Sequence, residues 1–171
     1  MSSKRIVLKL SEGSINSALR EVESLEKAQK ARIHAAAKEI AEEICKRAQA
    51  NFDTAWYDEV GRGMRGHADI KCQVEETGNG FRVVARGDEV TFIEFGAGVH
   101  FNPPAGASTH PKGAEFGFLI GGFGKGHGKQ KSWGYYADES KQELIITHGT
   151  AMQQPLYRAF CEVLEERKAR Q

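Results

Sequence analysis

Apolar residues recur every three or four positions from Ser14 to Val60, a stretch that contains neither glycine nor proline. The repeating positions are Ile15, Leu19, Val22, Leu25, Ala28, Ala36 or Ala37, Ile40, Ile44 and Ala48. This period predicts an amphipathic helix, with Ser14 as a cap for its free backbone N–H groups. A helix from about Ile15 to Asn51 is roughly 55 Å long at 1.5 Å per residue. We expect it either to break once, near Gln29–Ile33, or to run past the core to a neighbouring subunit.

Alternating apolar and polar residues predict strands on both sides of that helix. Ile6, Leu8 and Leu10 indicate a short strand before it, and Gly61, Gly63 and Gly66 indicate a flexible connection after it. Residues 68–74 and 81–85 then alternate around Thr77-Gly78-Asn79-Gly80, a turn sequence. They predict a hairpin with one apolar and one charged face. Ser132–Tyr136 and Leu144–Thr147 predict a second hairpin.

The end of the chain predicts a second helix. Pro155 suits its first position, where a missing N–H costs little, and Arg167, Lys168 and Arg170 suit its C-terminal end. Its expected apolar stripe consists of Leu156, Ala159, Phe160, Val163 and Leu164, with Phe160 as the anchor on the sheet. The order of elements predicts an α+β fold, with a long N-terminal helix and a C-terminal helix packed on a mainly antiparallel sheet. We expect residues 1–171 to form one domain.

A glycine-rich segment interrupts this pattern. Eleven of the 19 glycines lie between Gly96 and Gly134, and no apolar period runs through them. We therefore expect an irregular, mobile loop at about residues 102–131. The loop lacks the Gly-Lys-Ser/Thr ending of a phosphate-binding loop and the GxGxxG spacing of a dinucleotide site. Four lysines could still contact a nucleic-acid backbone weakly: Lys112, Lys125, Lys129 and Lys131.

Charge and cysteine content narrow the function classes. Lys and Arg number 24 and Asp and Glu number 23, which argues against tight binding of nucleic acid. The three cysteines are far apart and form no CxxC pair. The N-terminus has no signal-peptide core, and no apolar run approaches the roughly 20 residues of a membrane span. We expect a protein folded in the cytoplasm with no membrane partner.

The polar residues form no catalytic pattern. None of the six histidines occurs as HxH, HxxxH or HExxH, so no metal site is predicted. Ser108-Thr109-His110 lacks the glycines of a nucleophile elbow. Glu94 stands among Phe92, Ile93 and Phe95, a setting that raises the pKa of a carboxyl group or prepares it to meet a neighbour's arginine. We predict no catalytic residue, no cofactor and no metal.

Three segments together resemble one protein family. They are Phe92-Ile93-Glu94-Phe95-Gly96-Ala97-Gly98, with Ala97 where the family usually has threonine, then Lys131-Ser132-Trp133-Gly134-Tyr135, and finally residues 147–159, THGTAMQQPLYRA. In this order they resemble the head–tail joining, or tail-completion, proteins of long-tailed bacteriophages and their prophages. The strand–helix–hairpin order before them agrees, so the resemblance covers most of the chain.

The resemblance implies a virion structural protein without enzymatic activity. Such proteins form a ring, typically of six copies, between the head connector or stopper and the tail tube. DNA passes through the ring in transient, non-specific contact. The ring would be assembled in the cytoplasm of the host bacterium. Candidates for contacts with neighbouring subunits or partners are Phe92, Glu94, Phe95, Gly96, Trp133, His148, Gly149 and Pro155.

Two functions of other classes stay open at this stage. One is a nucleic-acid-binding module that uses the Lys/Gly-rich loop and binds in a salt-sensitive manner. The other is a metal-dependent hydrolase that uses the loop histidines and Glu94.

Overall fold

The computed structural model describes residues 11–59, 64–66, 68–97, 110–113, 115–116, 132–136, 140, 142 and 144–170. The predicted strand at Ile6–Leu10 and most of the predicted loop at 102–131 lie outside these residues. Lys125, Lys129 and Lys131 lie there as well.

The first helix, α1, spans Glu12–Thr54 without a break. At 43 residues it is about 65 Å long. Of the two alternatives for this helix, the break near Gln29–Ile33 does not occur, and no glycine or proline interrupts the backbone ladder there. The predicted cap needs correction too: Ser11 is the N-cap, and its hydroxyl accepts from the Ser14 N–H at 3.4 Å.

Three antiparallel strand pairs follow α1. β1, Tyr57–Glu59, pairs with β2, Met64–Gly66, where the sequence had indicated a flexible connection. β3, Lys71–Thr77, pairs with β4, Gly80–Arg86, in the predicted hairpin. β5, Trp133–Tyr136, pairs with β6, Leu144–Thr147, in the second predicted hairpin.

Two further helices complete the described elements. α2, Val90–Phe95, is a short helix in a segment that sequence alone did not classify. α3, Pro155–Ala169, starts at the predicted proline. Together with the long helix and the antiparallel strands, these elements confirm the α+β class.

The core lies where α1 meets α3 and the β3–β4 hairpin. One cluster of buried residues joins Ile44 and Ala48 of α1 to Ala159 and Val163 of α3. A second cluster joins Phe52, Ala55, Ile70 and Ile93, and Leu156 packs against both clusters. The helices run in opposite directions, because Asn51 contacts Pro155 while Glu39 contacts Arg167.

The predicted role of Phe160 is wrong. Its side chain is 45% exposed, whereas Ala159 and Val163 are fully buried. Residues 159 and 163 lie four positions apart, on the line of α3 that faces α1. Phe160 lies roughly 100° around the helix from Ala159, outside that line. Within the described residues, no helix is long and apolar enough to cross a membrane.

Candidate functional site

The Glu94 carboxylate lies at the start of α3 and takes the place of a local helix cap. Its Oε2 accepts from the Leu156 N–H at 2.9 Å, and its Oε1 accepts from the Tyr157 N–H at 2.9 Å. Pro155 before them has no N–H, and the Arg158 N–H already bonds to the Gln154 carbonyl. Glu94 therefore satisfies the two donors that the first turn of α3 leaves free, and its negative charge suits the positive end of the helix dipole.

His110 is the second side-chain partner of Glu94. Its Nε2 lies 3.2 Å from Glu94 Oε1, and its Nδ1 accepts from the Lys112 N–H at 3.0 Å. Because Nδ1 accepts, the ring proton is on Nε2, which donates to the carboxylate. Glu94 and His110 are only 5% and 7% exposed. We call Glu94, His110, Leu156 and Tyr157 the Glu94 node.

Aromatic rings enclose the imidazole of the node. The His110 ring packs edge-on against Phe95, with centroids 4.6 Å apart. It also packs against Tyr157, with centroids 4.7 Å apart. Phe116, from the same short segment as His110, contacts Phe95 in turn. These contacts hold His110 and Phe116 against α2 and α3.

Gln153 and Gln154 form the turn that leads into α3. Gln153 accepts from the Trp56 N–H through Oε1 and donates to the Trp56 carbonyl through Nε2, which ties the turn to the end of α1. The Gln153 N–H also donates to the Ile93 carbonyl at 3.0 Å. Gln154 adopts a left-handed conformation, with φ 54°, which turns the chain into Pro155.

A backbone bridge connects α2 to the second hairpin. The Ala97 N–H donates to the Thr150 carbonyl at 2.8 Å, and the Thr150 N–H donates to the Ala97 carbonyl at 2.9 Å. Only backbone atoms make these two bonds, so the side chain of Ala97 does not contribute to them. Gly96 and Gly149 flank the bridge with φ of 76° and 88°, a region that favours glycine.

The predicted interface residues divide into two groups. Glu94, Phe95, Gly96, Gly149 and Pro155 are buried within the chain. That these residues contact a neighbouring subunit or partner stays a prediction.

The other candidates remain near the surface or lie in a strand. Phe92 and His148 are half-buried. Trp133 begins β5, opposite Thr147 of β6. Lys112 is exposed, and its Nζ bonds to Glu115 at 2.8 Å.

A charged network between α1 and α3 was missed by the sequence reasoning. Both terminal nitrogens of Arg47 bond to the Glu166 carboxylate at 2.6 Å, and Arg167 bonds to Glu43 at 3.0 Å and Glu39 at 2.8 Å. The hydrogen bond from Arg47 lowers the pKa of Glu166, and the one from Arg167 lowers the pKa of Glu43. These residues are 119 to 128 positions apart, and no local pattern signals such pairs.

The hydrogen bonds of the Glu94 node link α2, the start of α3 and His110 to one another. Both carboxylate oxygens accept from donors of the chain, and both ring nitrogens of His110 are engaged. Among the residues that the structure describes, no group of three or more His, Cys, Asp or Glu side chains is placed to hold a metal ion.

No protein-family model, curated protein or solved structure matches this chain.

Proposed function

We propose that the chain is a virion structural protein that joins the head and tail of a long-tailed bacteriophage, and that it is not an enzyme. In this role it forms a ring, typically of six copies, between the head connector or stopper and the tail tube. The ring is located at the head–tail junction of the virion, and DNA passes through it.

The observation that carries this proposal is that the three family-like segments meet in one structural unit. The first segment supplies Glu94 and Ala97, and the third supplies Thr150, Leu156 and Tyr157, which bond to them directly. The second segment contains Trp133 of β5, which pairs with Thr147, the first residue of the third segment. If the resemblance reflects a shared fold, its three segments should contact one another in the structure. These contacts meet that expectation and so support the proposal.

The charge balance supports the same role. The formal net charge is +1 for 171 residues, so the chain offers no overall excess of positive charge to hold DNA. A channel that conducts DNA must contact the phosphates without retaining them. A near-neutral protein meets that need better than a strongly basic one.

The alternatives receive less support from the described residues. The hydrolase alternative assigned Glu94 to chemistry, yet both of its oxygens are occupied by α3 and His110. For the nucleic-acid module, Lys112 is the one lysine of the proposed set within the described residues, and it forms an ion pair with Glu115.

Localisation in purified virions tests the proposal. An affinity tag after Gln171, gold-labelled and viewed by electron microscopy, should mark the junction between head and tail. As a control, virions of the same phage with the tag on a tail-tube protein show whether the gold label reaches a tag in intact particles. Absence of the protein from virions, or labelling at the capsid surface or the tail tip, would contradict the role.

A further inference from the structure

β3 pairs with β4 on one side, and no described strand pairs with its other side, which we call the open edge. In the antiparallel register with β4, residues alternate between those that bond to β4 and those whose N–H and C=O point away. The Cys72 N–H bonds to the Gln49 side chain of α1, at 2.8 Å, so Cys72 belongs to the outward set. Val74 and Glu76 share that set. Within the described residues, no group bonds to their outward N–H and C=O.

Gln49 closes only the first part of this edge. Its Oε1 accepts from the Cys72 N–H and its Nε2 donates to the Ile70 carbonyl at 2.9 Å, as a neighbouring strand would. From Val74 onwards, no described residue pairs with this edge, which leaves it available for strand pairing. An exposed edge of this kind is a template for a strand from another chain.

A groove runs beside the open edge, beneath α1. Its volume is about 390 Å³, and Cys45, Gln49, Ala50, Cys72 and Val74 line it together with charged side chains. Burial raises the pKa of Cys72 to about 11, so this thiol is neutral and acts as an apolar wall. A strand added to β3 would direct every second side chain into the groove.

The chain contains a segment with the matching pattern. Ile6, Leu8 and Leu10 alternate with Val7 and Lys9, which predicts a strand. Residues 1–10 carry Lys4, Arg5 and Lys9 and no acidic residue. β3 and the groove carry Glu42, Asp53, Glu75 and Glu76 against Lys46 and Lys71, so their acidic excess is complementary to the basic segment.

This segment cannot reach the open edge of its own chain. The nearest part of the open edge is Glu76, which bonds to His34, and His34 is about 33 Å along α1 from Glu12. Residues 6–10 directly precede Ser11, so even fully extended they reach at most about 18 Å from the start of the helix. The segment can therefore pair with β3 only in another copy.

We propose that neighbouring copies of this chain are joined by strand exchange, in which residues 6–10 of one copy add to the open edge of β3 in the next copy. The N-terminal half of α1 lies outside the two buried clusters, and the donor segment precedes it in the sequence. Ile15, Leu19, Val22 and Ile33 are exposed along this part of the helix and become available to the same neighbour. The contact is heterologous, because each copy donates a segment and receives one, and repetition closes a ring when the rotation permits. The pairing of residues 6–10 with β3 of another copy does not depend on the proposed function. Only the closure of the copies into a ring rests on it.

Photo-crosslinking of the full chain tests the exchange. p-Benzoylphenylalanine replaces Lys9, and equal amounts of ¹⁴N- and ¹⁵N-labelled protein are mixed at high concentration before irradiation. Mass spectrometry should find crosslinked peptides of mixed isotope that join residues near position 9 to Lys71–Thr77 or to the facing part of α1. Crosslinks within one copy alone, or none to β3 or the groove, would overturn the proposal.

Matched variants separate strand pairing from nearby contact. Val74→Pro removes an N–H that points away from β4, and should abolish the mixed crosslinks while leaving the β3–β4 hairpin intact. Val74→Thr keeps that N–H and should keep the crosslinks. If circular dichroism shows that Val74→Pro is unfolded, Leu8→Lys in the donor segment replaces it and should also abolish them. Persistence of the crosslinks in a folded Val74→Pro or in Leu8→Lys would overturn strand exchange.

The result is independent of the virion role. Mixed crosslinks in a protein that is absent from virions would leave strand exchange standing and contradict the proposed function. A protein at the head–tail junction without mixed crosslinks would support the function and remove strand exchange.

Discussion

Glu94 Oε2 lies 2.9 Å from the backbone nitrogen of Leu156, a residue 62 positions further along the chain. A side chain of one helix thus caps the start of another and joins α2 to α3. The α3 N-cap position, Gln154, makes no side-chain cap of its own. The Glu94 node therefore holds the first turn of α3 against α2.

Removing the carboxylate should destabilise the protein substantially. Glu94→Ala leaves the Leu156 and Tyr157 N–H groups and the His110 Nε2–H without their acceptor in a buried site. We expect a loss of about 3 kcal/mol in the free energy of unfolding, measured by urea denaturation. The exposed Glu23→Ala serves as a matched control and should change it by less than about 0.5 kcal/mol. An equally small effect of Glu94→Ala would contradict the capping role.

Glu94→Lys should prevent folding. An exposed Glu94 at a partner surface would allow such a reversal of charge in an intact monomer. The buried position instead places an ammonium group against two backbone N–H donors. A folded Glu94→Lys monomer with wild-type circular dichroism would show that Glu94 is not at this node.

The tautomer of His110 is open to direct measurement. Because the Lys112 N–H donates to Nδ1, the neutral ring should carry its proton on Nε2 at pH 7.5. Long-range ¹H–¹⁵N correlation spectra distinguish the two tautomers. A proton on Nδ1 would contradict the hydrogen bonds of the node.

Two neighbouring residues of α3 should respond differently to truncation. Val163 is fully buried against α1, so Val163→Ala should cost about 2 kcal/mol through lost burial and a residual cavity. Phe160 is 45% exposed, and Phe160→Ala should cost less than about 1 kcal/mol. Thermal or urea unfolding of both variants measures the difference. The reverse order would mean that α3 is rotated from the position described.

The ion pairs between α1 and α3 should give stability a dependence on pH. The pKa of Glu166 is lowered in the folded state by Arg47, so the stabilisation is present above the unfolded pKa and is lost as pH falls through the folded pKa. Arg47→Met should therefore reduce stability at pH 7 and flatten the loss of stability below about pH 4.5. In ¹³C NMR titrations, the pKa of Glu166 should rise in the variant. An unchanged Glu166 pKa would contradict the pairing.

The elements of the fold could be predicted because their signals are local. A helical period without glycine or proline predicted α1, and strand alternation around a turn predicted both hairpins. The prediction named Ser14 in place of Ser11 as the N-cap, because both serines are suitable caps and lie three residues apart. The error at Phe160 has another cause. Several apolar residues lie on neighbouring lines of α3, and only the packing of α1 decides which line is buried.

The site was predictable only in part. The sequence singled out Glu94, but its partners lie 16 residues away in His110 and more than 60 residues away in α3. Such pairings depend on the assembled fold. The predicted single domain and the mobile loop at 102–131 stay predictions.

The proposed role in joining head and tail is tested most directly in a phage that lacks this gene. Electron microscopy of its lysates should show DNA-filled heads and complete tails that are separate, and a plasmid copy of the wild-type gene should restore joined, infectious particles. Joined and infectious particles in the deletion lysate, without the plasmid, would contradict the account.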